Sequence, residues 1–352
     1  MKSIIFDCER MRYDETGIYY YCLNIAKRIR ERLNPDEQLV FYTPSEVEPV
    51  PGKRIYHRKL HKLLTPSLPE GSIWHSTYQH SDYLPSSRCK VPVLLTIHDL
   101  NFMYDERIGN VKKERYLSNL QKRINRADAL VCVSEHSQKD VLSFCNRGDK
   151  PMYVIHNGKN ELEEPALGAG SFRPERPFLF SLGALRRKKN FHALIPLIKH
   201  NAGLDLVIAG KAEEMDYVND LRKMAKREGL EERIHLVGTI SEAEKSWYYN
   251  HCTAFALASL AEGFSLPLVE AMSVGKPVFL SDKTALPEIG GSAAFYFSDF
   301  SDQHMQETFL RGLERYNAQN MTDRIKARAN DFSWDMAADQ YMTLYRKLNT
   351  QR

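Results

Sequence analysis

The segment Ala254–Leu280, AFALASLAEGFSLPLVEAMSVGKPVFL, decides the fold. Its first apolar run, Ala254–Ala258, has the length of a buried strand, and a second such run, Pro277–Leu280, closes the segment. Between them, Leu268–Val274 has helical spacing. Two strands joined through a helix pair in parallel, because the chain must cross over before it returns to the sheet. The segment therefore predicts a βαβ unit of a parallel α/β sheet.

The same alternation of short apolar runs and longer helical patterns fills both halves of the chain. Predicted strands are Ser3–Cys8, Gln38–Tyr42, Ile73–Ser76, Pro92–Ile97, Ala129–Val133, Met152–Ile155, Phe178–Leu182, Leu204–Ala209 and Ile234–Val237. The polar stretch Lys159–Pro177 interrupts the alternation and is typical of a linker. We predict two doubly wound Rossmann-like domains, 1–165 and 166–332, facing each other across a cleft. An amphipathic helix at 333–352 is expected to close the first of them.

Length and composition define the class of protein. A chain of 352 residues is too long for one ordinary core and suits two domains. Apolar residues make up 43% and charged residues 27%, which argues against disorder or a fibrous repeat. The N-terminus lacks a signal-peptide apolar region, no run of 18 apolar residues occurs, and the six cysteines form no C-x-x-C pair. We expect a cytoplasmic protein whose membrane contact, if any, is peripheral at the inner face.

The first half of the chain is the more basic. Residues 1–160 hold 25 Lys and Arg against 19 Asp and Glu, a balance of +6, whereas residues 161–352 hold 24 against 26, a balance of −2. Two stretches, Lys53–Leu64 and Lys112–Arg126, mix cations with Leu, Ile and Tyr. They fit an ordinary solvated surface, an anionic bilayer or a pyrophosphate-linked lipid, and these interpretations stay open. Diffuse basicity without an aromatic-basic motif does not indicate nucleic-acid binding.

The turn Glu262–Glu270, EGFSLPLVE, is the most specific chemical feature. Its two carboxylates bracket a helix start, where Pro267 suits the first turn. Exposed amides at the positive end of a helix dipole bind anions such as a diphosphate. Glu262 can accept hydrogen bonds from sugar hydroxyls, and Glu270 from a ribose diol. The residues expected to shape the turn and offer their amides are Gly263, Phe264, Ser265 and Leu266.

This turn, with its flank A-M-S-V-G-K-P-V, resembles the E-x7-E motif of the family-4 glycosyltransferases. The resemblance extends over nearly the whole chain, including T-I-H-D-L in the first half and the closing F-S-W. It implies the GT-B fold and a retaining transferase that uses a nucleotide-sugar donor and a glycan or lipid-linked glycan acceptor. Within this family, T-I-H-D-L and G-A-L…K-K-N resemble, in their general form, mannosyltransferases of bacterial surface polysaccharides. This resemblance favours GDP-mannose as the donor, while UDP-sugars and other GDP-sugars stay open.

Two features of the first half match the family. His98 stands at the end of the predicted strand Pro92–Ile97, where parallel sheets bind ligands. The resemblance places His98 against the transferred sugar, near the reaction centre. Gly17 opens the first helix and would let the backbone approach the donor. The family usually has a second glycine there, where this chain has Tyr19.

In the second half, the loop Ser181–Asn190, SLGALRRKKN, resembles the family's diphosphate loop. Gly183 would allow close approach, and Lys189 is predicted to be the cation that stabilises the leaving diphosphate. Lys188 stands where the family usually has Arg, so a point charge replaces a bidentate fork. Gly238, after the strand Ile234–Val237, resembles the segment that lines the nucleotide base.

No D-x-D motif occurs, so we predict catalysis without a metal or other cofactor. His98, Glu262 and Lys189 are then the predicted catalytic residues. The second interpretation is a subunit that has kept the fold and lost catalysis, binding glycans within a polysaccharide assembly complex.

Overall fold

The computed structural model describes residues 2–13, 16–44 and 51–350. The chain forms two compact units, one from the N-terminal segment up to Gly158 together with the chain from Ser333 onward, and one from Lys159 to Phe332. The chain passes from the first unit to the second after Gly158, earlier than the domain boundary predicted at residue 165. Local contacts explain its position: the Lys159 N–H donates to the Phe332 carbonyl at 3.0 Å within the second unit. In the first unit Gly158 packs so tightly that a Cβ would lie 2.1 Å from the backbone nitrogen of Trp334.

Within the described residues, the first unit contains a sheet of seven parallel strands in the order β3-β2-β1-β4-β5-β6-β7. The strands are β1 Lys2–Asp7, β2 Glu37–Thr43, β3 Lys53–Tyr56, β4 Ser72–Ser76, β5 Val93–Ile97, β6 Ala129–Cys132 and β7 Met152–Val154. The helices are α1 Gly17–Glu31, α2 Asn110–Arg126, α3 Glu135–Phe144 and, from the end of the chain, α11 Trp334–Thr350. The central strands β4, β5 and β6 are buried along their whole length, which is typical of a sheet covered on both faces.

The terminal helix α11 belongs to the first unit, where it packs against α1. Arg28 of α1 and Arg32, directly after α1, form ion pairs with Asp335 of α11, and Arg32 also pairs with Asp339. The helix predicted at 333–352 is observed from Trp334 to Thr350, while 351–352 lie outside the described residues.

The second unit contains a sheet of six parallel strands in the order β10-β9-β8-β11-β12-β13. The strands are β8 Phe178–Leu182, β9 Asp205–Ala209, β10 Ile234–Gly238, β11 Ala254–Leu257, β12 Val278–Ser281 and β13 Phe295–Phe297. The helices are α4 Ile195–His200, α5 Met215–Arg227, α6 Glu242–His251, α7 Leu266–Ser273, α8 Leu286–Gly290, α9 Asp302–Ala318 and α10 Thr322–Asn330. The predicted βαβ unit is confirmed as β11-α7-β12, and both halves are Rossmann-like as predicted.

The basic stretch Lys53–Leu64 divides into two elements. Lys53–Tyr56 is the edge strand β3, and Lys59–Lys62 forms a single 3-10 turn. The second basic stretch lies almost wholly in α2. None of the helices in the described part of the chain combines the length and apolar character needed to cross a membrane.

Candidate active site

Lys189 and Glu262 meet at the carboxyl edge of the second sheet. Lys189 ends a 3-10 turn that follows β8, and Glu262 lies in the turn between β11 and α7. The Lys189 Nζ donates to Glu262 Oε1 at 2.6 Å, although the two residues are 73 positions apart. Their side chains are 13% and 9% exposed, so this ion pair is largely shielded from water. The structure thus brings together the two residues to which the sequence analysis assigned the diphosphate and sugar contacts, and those assignments stay predictions.

Glu262 is held as a carboxylate. Burial opposes its ionisation, but the charges of Lys189 and Lys188 and the hydrogen bond from Lys189 outweigh it and lower its pKa. The backbone of Glu262 is also fixed, since its N–H donates to Thr284 Oγ1 at 2.8 Å. The geometry of the pair is therefore set before any ligand arrives.

Three glycines stand side by side at the carboxyl ends of three neighbouring strands, β8, β9 and β10. Gly183 follows β8, Gly210 follows β9, and Gly238 ends β10. The Gly183 N–H donates to the Ala209 carbonyl, and the Gly210 N–H donates to the Gly238 carbonyl at 2.7 Å.

At two of these positions, Gly183 and Gly210, a larger side chain would crowd neighbouring atoms. A Cβ on Gly183 would lie 3.0 Å from Lys189 Cε, so Gly183 leaves room for the lysine side chain. A Cβ on Gly210 would lie 2.0 Å from the Gly183 carbonyl oxygen. The sequence analysis missed Gly210, although a glycine directly after a predicted strand was the available signal.

The turn that starts α7 is strained at Ser265. This residue has φ of +84°, which is unusual for a residue with a side chain, and its hydroxyl caps nothing. The Ser265 hydroxyl is buried without a hydrogen-bond partner among the described residues. The neighbouring residues Gly263, Phe264 and Leu266 are buried, and the Phe264 ring packs edge-on against Phe332 at 5.4 Å. A strained, unsatisfied position of this kind is typical of a binding turn.

Glu270 lies inside α7 and is 2% exposed. Its Oε1 accepts from Asn160 Nδ2 at 2.7 Å and from Lys245 Nζ at 3.3 Å, and its Oε2 accepts from the Tyr249 hydroxyl at 3.0 Å. The predicted role of Glu270 toward a ribose stays a prediction. The three partners were missed, because nothing local marks residues of the linker and of α6 as neighbours of α7.

The cations of the loop have different partners. Arg186 pairs with Glu213, and Arg187 pairs with Asp216 at 3.1 Å and with Asp220. Both arginines of the loop are therefore paired with carboxylates of the second unit. Lys188 contributes through its charge on Glu262, and its carbonyl accepts from the Leu260 N–H at 2.8 Å.

In the first unit, His98 follows β5 and is 8% exposed. Its backbone is held by Gln79 and Ser137: the His98 N–H donates to Gln79 Oε1 at 3.1 Å, and Ser137 Oγ donates to the His98 carbonyl at 2.9 Å. The Ser137 N–H donates in turn to Ser134 Oγ, which caps the N-terminus of α3. Ser134 therefore caps the helix, and Ser137 fixes the backbone of His98.

The protonation of His98 follows from its partners. Nε2 lies 2.8 Å from the Thr77 carbonyl, which can only accept, so Nε2 carries the proton and the neutral ring has its lone pair on Nδ1. Burial lowers the pKa of His98, although the bond to Thr77 opposes this. Thr77 and Gln79, two polar residues directly after β4, were missed by the sequence analysis.

Gly17 begins α1, capped by Thr16, whose hydroxyl accepts from the Tyr19 N–H at 3.3 Å. No described atom lies within 4 Å of a Cβ placed on Gly17, so the fold itself does not require a glycine there. One turn later, the Tyr21 ring packs edge-on against His98 at 4.8 Å. Asp99 accepts from the Asn101 N–H at 2.9 Å, at the start of the following turn.

Comparisons with known proteins identify the family and the fold of the chain. The model "Glycosyl transferases group 1" matches residues 167–330, and "Glycosyltransferase Family 4" matches residues 21–161. O-antigen chain mannosyltransferase B from Escherichia coli is 23% identical over 384 aligned positions, which cover 98% of this chain and all of that protein. The serotype-specific mannosyltransferase WbdA from Escherichia coli is 24% identical over 72% of this chain, and the match spans 34% of its own length.

Two solved structures have the same fold over their whole length. Sucrose-phosphate synthase from Thermosynechococcus elongatus superposes with a TM-score of 0.78 at 16% identity and covers 100% of both chains. HepE from Anabaena, in complex with UDP and glucose, gives 0.75 at 18% identity and covers 98% of this chain and 99% of that one. The chain belongs to the family-4 glycosyltransferases, has their GT-B α/β fold, and is a glycosyltransferase.

Proposed function

We propose that this enzyme transfers a hexose from a nucleotide-sugar to a glycan or lipid-linked glycan acceptor, with retention of configuration and without a metal. The observation that carries the proposal is the shielded Lys189–Glu262 pair beside Gly183. A buried, fixed cation stabilises negative charge on a leaving diphosphate more strongly than a solvated one, because no water has to reorganise. In the same turn, the unsatisfied Ser265 hydroxyl offers a hydrogen bond to a ligand.

For the donor we propose GDP-mannose. GDP-mannose:cellobiosyl-diphosphopolyprenol alpha-mannosyltransferase from Komagataeibacter xylinus supports it at 26% identity, covering 63% of this chain and 57% of that protein. The name of that relative also supports a saccharide on a lipid diphosphate as the acceptor. The alternative of an inactive binding subunit has no comparable support, since the relatives described above are named as transferases.

For retention we propose attack on the same face from which the diphosphate leaves. The bond from C1 of the sugar to the diphosphate oxygen breaks, the bond from C1 to the acceptor oxygen forms, and the leaving phosphate takes the acceptor proton. Lys189 stabilises the phosphate as its charge grows. Glu262 holds Lys189 and accepts from sugar hydroxyls, and Nδ1 of neutral His98 accepts a hydrogen bond from the transferred sugar.

A donor panel tests this function. In EDTA, GDP-mannose at one hundred times its dissociation constant should stabilise the protein by about 2.7 kcal/mol, and UDP, dTDP and ADP sugars by much less. Mannose transfer should continue in EDTA, and NMR of the product should show the anomeric configuration of the donor. The variant Arg186→Ala, which removes an exposed ion pair of the same loop, is the matched control and should behave as wild type. Stabilisation by UDP-sugars alone, or transfer only with a divalent cation, would contradict the donor or the metal-free proposal respectively.

We also propose that the first unit touches an anionic membrane surface through the turn after β3. Leu60, Leu63 and Leu64 are 58%, 79% and 60% exposed, an unusual cluster for a protein surface in water. Arg58 and Lys59 adjoin these leucines and favour anionic lipid. The basic face of α2 supports the idea less well, because two of its arginines, Arg123 and Arg126, are committed to backbone carbonyls of its own unit.

Vesicle binding distinguishes the turn from α2. The double variant Leu63→Glu and Leu64→Glu should reduce cosedimentation with phosphatidylglycerol vesicles at least tenfold, since it removes two exposed apolar anchors and adds two negative charges. Val111→Glu, at an 83% exposed apolar position of α2, should leave binding unchanged. Equal binding of wild type and the double variant, or no preference for anionic over neutral vesicles, would rule out this surface.

A further inference from the structure

Four aromatic side chains lie in continuous contact at the carboxyl edge of the first sheet. This aromatic strip consists of Tyr78 and His80 after β4, Phe102 after β5, and Tyr116 on α2. The ring centroid of His80 is 5.6 Å from that of Tyr78, and on its other side 6.0 Å from that of Phe102 and 6.1 Å from that of Tyr116, which are 5.3 Å apart. The strip begins beside the candidate active site, because the Tyr78 ring centroid is 6.5 Å from that of His98.

The strip differs from the aromatic core of the same unit. Trp74 and Tyr42 are fully buried in the sheet, whereas all four members of the strip are partly exposed. Folding alone favours burying such large apolar rings. Partly exposed rings in continuous contact, at the edge where parallel sheets bind ligands, indicate a binding surface.

Cations flank the strip at both ends, and its middle is neutral. Burial lowers the pKa of His80 to about 4, so this ring is neutral at neutral pH. Near His98 the Arg10 guanidinium lies 4.5 Å from the Tyr78 ring centroid, and at the far end Lys112 and Arg115 each lie 5.8 Å from that of Tyr116. The middle of the strip therefore offers neutral aromatic surface to a ligand.

We propose that the aromatic strip binds the acceptor as an extended oligosaccharide, with the sugar that receives the new linkage at Tyr78 beside His98 and the following sugars along His80 toward Tyr116. The C–H groups on one face of a pyranose carry partial positive charge and pack on the negative face of an aromatic ring. A few polar groups, such as Arg10, fix the hydroxyls, as in other pockets with aromatic walls. This inference rests on the proposed glycosyl transfer and adds the length and the path of the acceptor.

The test compares long and short acceptors on variants of Tyr116, one of the two rings that follow His80 along the strip. With GDP-mannose as donor, Tyr116→Ala should raise the KM for α-linked mannotriose about tenfold and leave the KM for methyl α-mannoside and the kcat unchanged. Tyr116→Phe retains the ring and should behave as wild type. Tyr56→Ala removes a 49% exposed tyrosine of β3, outside the strip, and is the matched control. Equal effects on both acceptors, or none, would overturn the proposal.

Binding measured without turnover separates this inference from the proposed function. Saturation-transfer NMR should detect mannotriose on the wild-type protein at millimolar concentration and a loss of that signal in Tyr116→Ala. If GDP-mannose binds and mannotriose does not, the strip is not an acceptor site for such glycans, although the donor proposal stands. If neither ligand binds to folded protein, the proposed function itself fails.

Discussion

Replacing Lys189 by methionine should destabilise the protein by about 3–5 kcal/mol at pH 7 and reduce transfer about 10²- to 10³-fold. The variant leaves the carboxylate of Glu262 buried without its cation, and it removes the charge that we propose for the leaving diphosphate. Urea unfolding and steady-state nucleotide release measure the two effects. The control Lys199→Met breaks a surface pair with Glu228 in the same unit and should leave the unfolding free energy close to that of wild type.

The pH dependence identifies the cause of the destabilisation. The pKa of Glu262 is lowered from 4.5 in the folded protein, so its pairing stabilises the fold above that value, and the contribution is lost as the pH falls through the lowered pKa. In Lys189→Met, burial without a cation should raise the pKa of Glu262, so the carboxyl group takes up a proton at higher pH. The difference in unfolding free energy between the two proteins should therefore shrink from pH 7 toward pH 4. A difference that does not depend on pH would show that packing, and not charge, holds the loop.

A double variant separates stability from catalysis. Lys189→Met with Glu262→Met replaces a buried ion pair by apolar side chains of similar size, which is often neutral for stability. We expect unfolding free energy near that of wild type and activity still reduced at least 10²-fold. Recovery of activity together with stability would contradict the catalytic role of Lys189.

Replacing His98 by glutamine should reduce kcat about 10²- to 10³-fold and leave donor binding within a few-fold of wild type. Glutamine can keep a donor against the Thr77 carbonyl, which His98 Nε2 contacts at 2.8 Å, but its one acceptor, the amide oxygen, then lies away from the position of Nδ1. Single-turnover rates and nucleotide binding measure the two quantities. His61→Gln, which changes a histidine of the same unit that contacts Tyr42, should leave both unchanged.

The pH profile provides a second check on His98. Because burial lowers its pKa below 6.5, the ring is neutral at and above that pH, and activity should not decline between pH 8 and pH 6.5 on its account. The same shift predicts a loss of folding stability as the pH falls below 6.5, where the unfolded histidine binds a proton that the folded one does not. An activity pKa above 6.5 that disappears in His98→Gln would contradict the neutral role.

Local patterns in the sequence determined the fold class. The alternation of apolar runs and helical spacing depends on neighbours within one element, so Ala254–Leu280 could be recognised as a βαβ unit before the structure was known. The turn Glu262–Glu270 was recognised for the same reason, since its glycine, proline and carboxylates are close in sequence. Lys189 and His98 were recognisable as candidates too, but their partners were not.

The tertiary structure decided the chemistry at each of these positions. Lys189 acquires a fixed position because Glu262, 73 residues away, is brought against it and both are shielded from water. Glu270 lies among donors from the linker and from α6, and the Thr77 carbonyl sets the proton of His98. The contacts, burial and tautomer of a side chain depend on which distant residues fold against it. The hydrophobic pattern along the chain does not show which residues these are. The sequence by itself therefore determined the sheets and the motifs, and only the folded chain decided which side chains are paired, buried or available to a ligand.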